Sequence, residues 1–155
     1  MEYEDYDRTS LSYNDTRIPI GLPIILEHLS STLTPLGEQV VLDAGCGTGN
    51  YLAGLAGRIG RLHGLEFNVG MHQVALERFV EQPEVQIHLG SCTDMPFSDE
   101  AFDGIICTQV LHHLDRGGGD PPDGAEFPNV RAFCREAFRL LRPGGVVLIN
   151  LSTHP

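Results

Sequence analysis

The sequence predicts an α/β protein, a doubly wound sheet of about five parallel strands. Three observations carry that expectation. Short apolar runs alternate with segments of helical periodicity, the pattern of βαβ units. The first strong run leads into a loop with glycines at alternate positions, "VLDAGCGTGNY", and a helical pattern follows it. The 155 residues suit one domain able to bury a core without disulfides, and they contain no internal repeat or low-complexity tract.

Taken in order, residues 23–33 suggest a helix, with Ile24, Ile25, His28, Leu29 and Leu33 at helical spacing. Residues 39–42 read as a buried strand with Asp43 at its end. A helix follows over about 50–58, carrying Leu52, Leu55, Ala56 and Ile59 on one side. Residues 61–66 form the second strand. Asn68 is placed to cap the next helix, where Met71, Val74, Ala75 and Phe79 recur. Residues 85–89 and 102–108 are strands three and four, and the linker "GSCTDMPFSDEA" between them is too short and turn-rich for a full helix. Residues 115–128 form one long loop rich in Gly, Pro and Asp. Asn129 is expected to cap the clearest helix, with Val130, Phe133, Cys134, Ala137, Phe138 and Leu141 on its apolar side. "RPGG" ends that helix, and residues 146–151 are strand five.

Composition narrows the partners. The chain is 41% apolar and 20% charged, as soluble globular proteins are. It has no apolar run long enough to span a membrane, and its acidic, aromatic start is not a secretory signal. Ten arginines, no lysine and 21 acidic residues give a formal charge of −11. Nucleic-acid binding needs a basic face to neutralise phosphates, and no basic cluster is present. A small molecule is the expected partner, with no nucleic acid and no membrane. Cys46, Cys92, Cys107 and Cys134 are widely spaced, with no C-x-x-C pair, so no metal site is expected and reduced thiols in a cytoplasmic setting are.

The glycine loop limits the ligand further. A strand, a glycine loop and a helix N-terminus together present backbone N–H groups to a ligand. The dinucleotide fingerprint G-x-G-x-x-G fits Gly45 and Gly47, but Asn50 stands at its third position and Gly49 comes one residue early. Glu66, at the end of the second strand, is placed to accept hydrogen bonds from both ribose hydroxyls. Those features point to an adenosine-containing ligand. Asp43, just before the loop, would repel a pyrophosphate and suits a ligand with an ammonium or sulfonium charge.

Four blocks, "VLDAGCGTGNY", "GLEFN", "DMPFSDEAFDGIICTQVLHHL" and "FCREAFRLLRPGGVVLIN", together resemble the class I S-adenosylmethionine-dependent methyltransferases. The group most similar is the small-molecule enzymes that include those of ubiquinone biosynthesis. The resemblance covers about residues 40–151 and implies a Rossmann-like fold with S-adenosyl-L-methionine as cofactor. It implies one domain, 1–155, divided into an N-terminal lid and lead-in helix (1–36) and a cofactor-binding core (37–155). By that resemblance Asp43, Gly45, Cys46, Gly47 and Gly49 line the methionine and ribose end, Glu66 holds the ribose and Phe67 packs on the adenine. Gln109 and Val110 would lie under the sulfonium. The family often has an acid after the glycine that ends strand three. Here Ser91 stands there, so the adenine amino contact falls to Ser91 or to the backbone of Cys92. "YNDTRIPIG" is similar to a lid in some of these enzymes, with Tyr13 or Arg17 closing over the site; an ordinary start to a helix is the alternative.

Methyl transfer asks mainly for alignment in a dry pocket, because the sulfonium is already activated. A base helps when the acceptor is a phenol or an enol, and His112 and His113 are the candidates. Family folds run 3-2-1-4-5-7-6, and this chain carries no segment for the last two strands, so the sheet is expected to lack the C-terminal antiparallel hairpin. Strand five would then be an open apolar edge, covered by self-association or a partner chain. The expected function is methyl transfer to a small-molecule acceptor. The alternative is a non-catalytic module that binds the cofactor or a partner, and an NAD-dependent enzyme is a weaker third.

Overall fold

The computed structural model describes residues 19–115 and 127–151. Five strands form one sheet in the order β3-β2-β1-β4-β5. They are β1 (Val40–Ala44), β2 (Arg61–Glu66), β3 (Val85–Leu89), β4 (Phe102–Thr108) and β5 (Leu141–Asn150), and every neighbouring pair is parallel. The sheet therefore has the doubly wound topology expected of the sequence. The chain runs outward from β1 to β3 and then returns to place β4 on β1's other side. That reversal opens a crevice at the carboxyl end of β1, where such sheets take their ligands.

Among the described residues the strands are accompanied by α1 (Leu22–Ser30), α2 (Asn50–Leu55), α3 (Val69–Arg78), a short α4 (Leu111–Leu114) after β4, and α5 (Pro128–Leu140). On one face Ile25 and Leu29 of α1 pack with Leu52 and Leu55 of α2 over Val41, Leu62 and Ile106. On the other, Phe133, Ala137 and Leu140 of α5 cover Leu42, Phe102 and Ile105. Burial on both faces of the central strands β1 and β4 explains why these read as apolar runs without alternation.

Several boundaries differ from expectation for visible reasons. The first helix stops at Ser30, and Leu33 is 99% exposed. Ser31 and Thr32 donate their hydroxyls to the carbonyls of His28 and Leu29, taking the acceptors that another turn would use. Gln39 precedes β1 instead of starting it. Its buried amide donates to Leu29 O at 2.8 Å, Thr32 Oγ1 at 2.9 Å and Thr34 O at 2.7 Å, tying the α1–β1 turn. Asn129 lies inside the first turn of α5 and does not cap it. Asp115 does so from a distance, accepting the N–H groups of Asn129 (3.0 Å) and Val130 (3.1 Å). The buried side of α5 is Phe133, Ala137 and Leu140, while Phe138 is 86% exposed and Cys134 faces outward. Strand five begins at Leu141, not Val146. Leu141 pairs with Phe102 and Val146 with Gly104, so the intervening residues bulge, with Gly144 at φ +83°.

The linker between β3 and β4 lacks a helix and has one isolated bridge, Ser91 to Asp94. Arg139 of α5 holds this linker. Its guanidinium donates to Phe97 O (2.8 Å), Met95 O (3.1 Å) and Asp99 Oδ1 (2.9 Å), and pairs with Glu136 at 2.8 Å. Glu136 in turn accepts Met95 N–H. Arg139→Met is expected to cost about 2 kcal/mol, because it removes the shared partner of two carbonyls and two carboxylates. Urea unfolding reads that loss.

His63 of β2 and His88 of β3 stack with centroids 5.2 Å apart and share a hydrogen bond of 2.9 Å, Nδ1 to Nε2. Phe97 stands edge-on to both rings, and Phe102 to His63. Burial first, then the His88 and Arg61 charges, push the His63 pKa down to about 4. The unfolded chain binds that proton near the ordinary 6.5, so His63 contributes stability above that pH and the contribution is lost as pH falls toward 4. Denaturant midpoints compared at pH 7 and pH 4.5 are expected to drop less for His63→Phe than for the unaltered chain.

Candidate functional site

Two carboxylates stand at the carboxyl ends of neighbouring strands, Asp43 near the end of β1 and Glu66 at the end of β2. Both are buried, 1% and 6% exposed. Their surroundings separate them. Glu66 is held by two backbone donors: Gly47 N–H to Oε2 at 2.9 Å and Asn68 N–H to Oε1 at 3.0 Å. Each of its oxygens keeps further acceptor capacity. Asp43 has neither carboxylate oxygen hydrogen-bonded. Burial and, second, the charge of Glu66 raise its pKa to about 8.

The pair in turn acts electrostatically on three buried thiols. Cys46 lies in the loop, and burial, Asp43 and Glu66 all push its thiol well above the ordinary range. Cys92, in the linker after β3, is raised to about 12 by burial, then Glu66 and Asp43. Cys107 of β4 feels Asp43 as well, with burial as the larger cause of its raised value. These buried thiols are inert as nucleophiles. The groups influenced by the two acids are thus three buried thiols. A buried carboxylate without a partner is costly, and a cation is the ligand that removes the cost.

The loop's glycines have separate jobs. Gly45, Gly47 and Gly49 sit at φ +77°, +58° and +92°, values that side-chain-bearing residues avoid. The loop turns back on β2, with the N–H groups of Gly45 and Cys46 both donating to Leu65 O, at 2.8 and 3.0 Å. A Cβ on Gly45 would lie 2.5 Å from a methyl of Val110, so the loop is bare there for Val110 to pack. A Cβ on Gly49 would run into the ring of Phe79. At these two positions the missing side chain is filled by protein, not left for a ligand.

The other expected site residues are distributed as follows. Phe67, directly after Glu66, is 73% exposed, a ring open to stacking. Ser91 is exposed, and its hydroxyl pairs with Thr93 Oγ1 at 2.8 Å and accepts Thr93 N–H. Gln109 holds φ +60°, uncommon for a residue with a side chain, and its N–H donates to Asn150 O at 2.8 Å. Its place just past β4 puts that strained backbone beside the crevice, where such strain often accompanies function. His113 is exposed on α4. The side chain of His112 lies outside the described residues, as do Tyr13, Arg17 and the loop over 116–126. Among the described residues no three His, Cys, Asp or Glu side chains are placed to share a metal ion, and no helix is long and apolar enough to cross a membrane. Sequence reasoning missed Cys107 and Phe79. Both read as core residues, and only their packing brings them to the site.

The architecture is that of doubly wound α/β domains with a ligand crevice at the switch point of the sheet. A profile of the family described as methyltransferase domain matches residues 42–149, and the chain belongs to that family. It is 28% identical over 152 residues to a demethylmenaquinone methyltransferase of Clavibacter sepedonicus, covering 97% of this chain and 55% of the relative. It is 32% identical over 154 residues to a 2-phytyl-1,4-naphtoquinone methyltransferase of Thermosynechococcus vestitus, covering 97% of this chain and 60% of that protein. The fold aligns with a crystal structure of a SAM dependent methyltransferase from Aquifex aeolicus at a TM-score of 0.69 and 19% identity, over 96% of this chain and 72% of that one. The chain spans about half the length of the curated relatives it matches.

Proposed function

We propose that this chain forms the cofactor-binding part of an S-adenosyl-L-methionine-dependent methyltransferase that transfers a methyl group directly to a small-molecule acceptor. The observation that carries this reading is Asp43, a buried carboxylate without a hydrogen-bond partner at the switch point, with the charge of Glu66 acting on it. That environment favours an ammonium or sulfonium and disfavours a pyrophosphate. When bound, S-adenosylmethionine supplies a methyl group already activated by a sulfonium.

The chain's own residues then bind and align. Asp43 answers the positive charge. Glu66, braced by Gly47 and Asn68, offers its remaining lone pairs to the ribose hydroxyls. Phe67 supplies a face for the adenine, and Ser91 or the backbone of Cys92 meets its edge. Gln109 and Val110 border the reacting end, and His112 and His113 of α4 are the candidates for a base. The quinone methyltransferases among the relatives support a small acceptor of phenol or enol type. Four free cysteines support a reducing, cytoplasmic setting.

Calorimetric titration with S-adenosylmethionine, S-adenosylhomocysteine and NAD tests the reading. Binding of the first two and not the third is expected, and no binding of either adenosyl ligand ends it. Binding without turnover on phenol, thiol, amine and carbon acids would leave a non-catalytic cofactor-binding module. We also propose that the outer edge of β5 is covered by a second copy or a partner chain. Val147 and Ile149 of β5 are 41% and 44% exposed and Leu151, just past it, 49%, and the strand has no neighbour on that side among the described residues. Sedimentation at micromolar concentration giving a well-behaved monomer would count against self-association.

A further inference from the structure

We propose that Arg78, with Phe79 beside it, is a positioning residue that holds the glycine loop in its ligand-ready shape through α3, an inference that rests on the reading of that loop as a cofactor site. The loop's own means of support are weak. Helix α2, which follows it, has only six residues, starts from a glycine N-cap with no side-chain cap and contains Gly54. A helix that short, with glycine at both places, does not fix its own N-terminus.

The neighbouring helix does so from both ends. At the start of α3, Glu66 joins Gly47 N–H to Asn68 N–H, and Asn68 Oδ1 caps α3 by accepting Met71 N–H at 2.9 Å. At its other end, Arg78 Nη1 donates to Thr48 O at 3.3 Å and to Asn50 Oδ1 at 2.7 Å. Its guanidinium carbon lies 5.7 Å from the centroid of the Phe79 ring. Phe79 is 4% exposed, and its ring edge fills the space that a side chain on Gly49 would take. Thr48, Gly49 and Asn50 are therefore each held by Arg78 or Phe79 at the C-terminal end of α3, and Gly47 by Glu66 of β2, which also receives the N–H of the α3 cap.

Helix electrostatics do not account for this placement. A cation beside a helix N-terminus is on the unfavourable end of the dipole. What holds Arg78 there is its pair of acceptors, one a loop carbonyl and one the first side chain of α2. A planar guanidinium serves two such acceptors and the ring face together, which an ammonium does less well. Arg78 acts on the loop and so on the ligand at one remove.

The test compares Arg78→Met and Arg78→Lys with Arg139→Met, a staple broken elsewhere. Calorimetry with S-adenosylhomocysteine is expected to show Arg78→Met binding about 10- to 100-fold more weakly. Arg78→Lys is expected to recover part of the loss, and Arg139→Met to bind within about twofold of the unaltered chain although it melts earlier. Hydrogen exchange of the amides from Gly47 to Leu52 in the ligand-free protein is the second readout. It is expected to quicken in Arg78→Met and to stay unchanged in Arg139→Met. Equal affinity and equal exchange in Arg78→Met would overturn the proposal, as would an equal loss of affinity and protection in both methionine variants. If the unaltered chain binds no adenosyl ligand, the cofactor reading fails, and the exchange comparison still decides whether Arg78 holds the loop.

Discussion

Asp43→Asn is expected to melt at a higher temperature than the unaltered chain at pH 9 and at the same temperature near pH 4. The carboxyl of Asp43 is pushed from its ordinary 3.8 up to about 8, by burial first and by Glu66 second. A group whose folded pKa is raised contributes fully below its unfolded value. Its contribution is lost as pH rises through the folded value, here over the window from about 4 to about 8. Above that window the folded chain carries a buried charge that the unfolded chain exposes to water. The burden is on the order of several kcal/mol, since each displaced unit is worth about 1.4 kcal/mol. Asparagine has the same shape and never ionises. Thermal melts from pH 4 to pH 9 should therefore open a gap of about 5 °C or more in favour of the variant at the alkaline end. A gap constant with pH would show that Asp43 is not the titrating group. The same variant is expected to lose about 100-fold or more in affinity for S-adenosylmethionine, having lost the charge that answers a cation. Asp43 would then be a residue retained at a cost in stability, and undiminished binding would remove it from the site.

Gly45→Ala is expected to destabilise the chain by about 2 to 4 kcal/mol, the sum of two separate penalties. One is backbone strain, because φ at Gly45 is +77°. The other is overlap, because the new methyl would lie 2.5 Å from Cγ2 of Val110, a β-branched side chain with little freedom to turn. Val110→Ala separates them. In the double variant the overlap disappears and the backbone strain stays, so the two changes together should cost at least about 1 kcal/mol less than their sum. Urea midpoints for the four proteins measure this coupling. Strict additivity would mean that Val110 does not pack on the loop.

Strands β2, β3 and β4 have the boundaries that the apolar runs and their flanking turns predict, since a strand's run ends where turn-forming residues begin. Helix α5 shows the limit of that reading. Its periodicity admits more than one buried side, and Phe138 is apolar yet exposed because the sheet lies under Phe133, Ala137 and Leu140. Its cap escapes a local reading for a related reason, since Asp115 lies 14 residues before Asn129 and no local pattern announces it. At the site, Asp43 and Glu66 were legible as carboxylates at strand ends beside glycines, where core packing gives no reason for a charge. The His63–His88 pair was not, because it depends on the lateral register of β2 and β3.

The sequence by itself determined the alternation of strands and helices, the glycine loop, and the placing of one acid at the end of each of two strands. It also settled the family, since the matched profile spans most of the sheet. Only the tertiary structure decided how those two acids differ. Glu66 meets two backbone donors, while Asp43 meets none and its charge acts on the buried thiols of Cys46, Cys92 and Cys107. Desolvation is a property of everything packed around a group, and those neighbours come from separate stretches of chain that the sheet brings together.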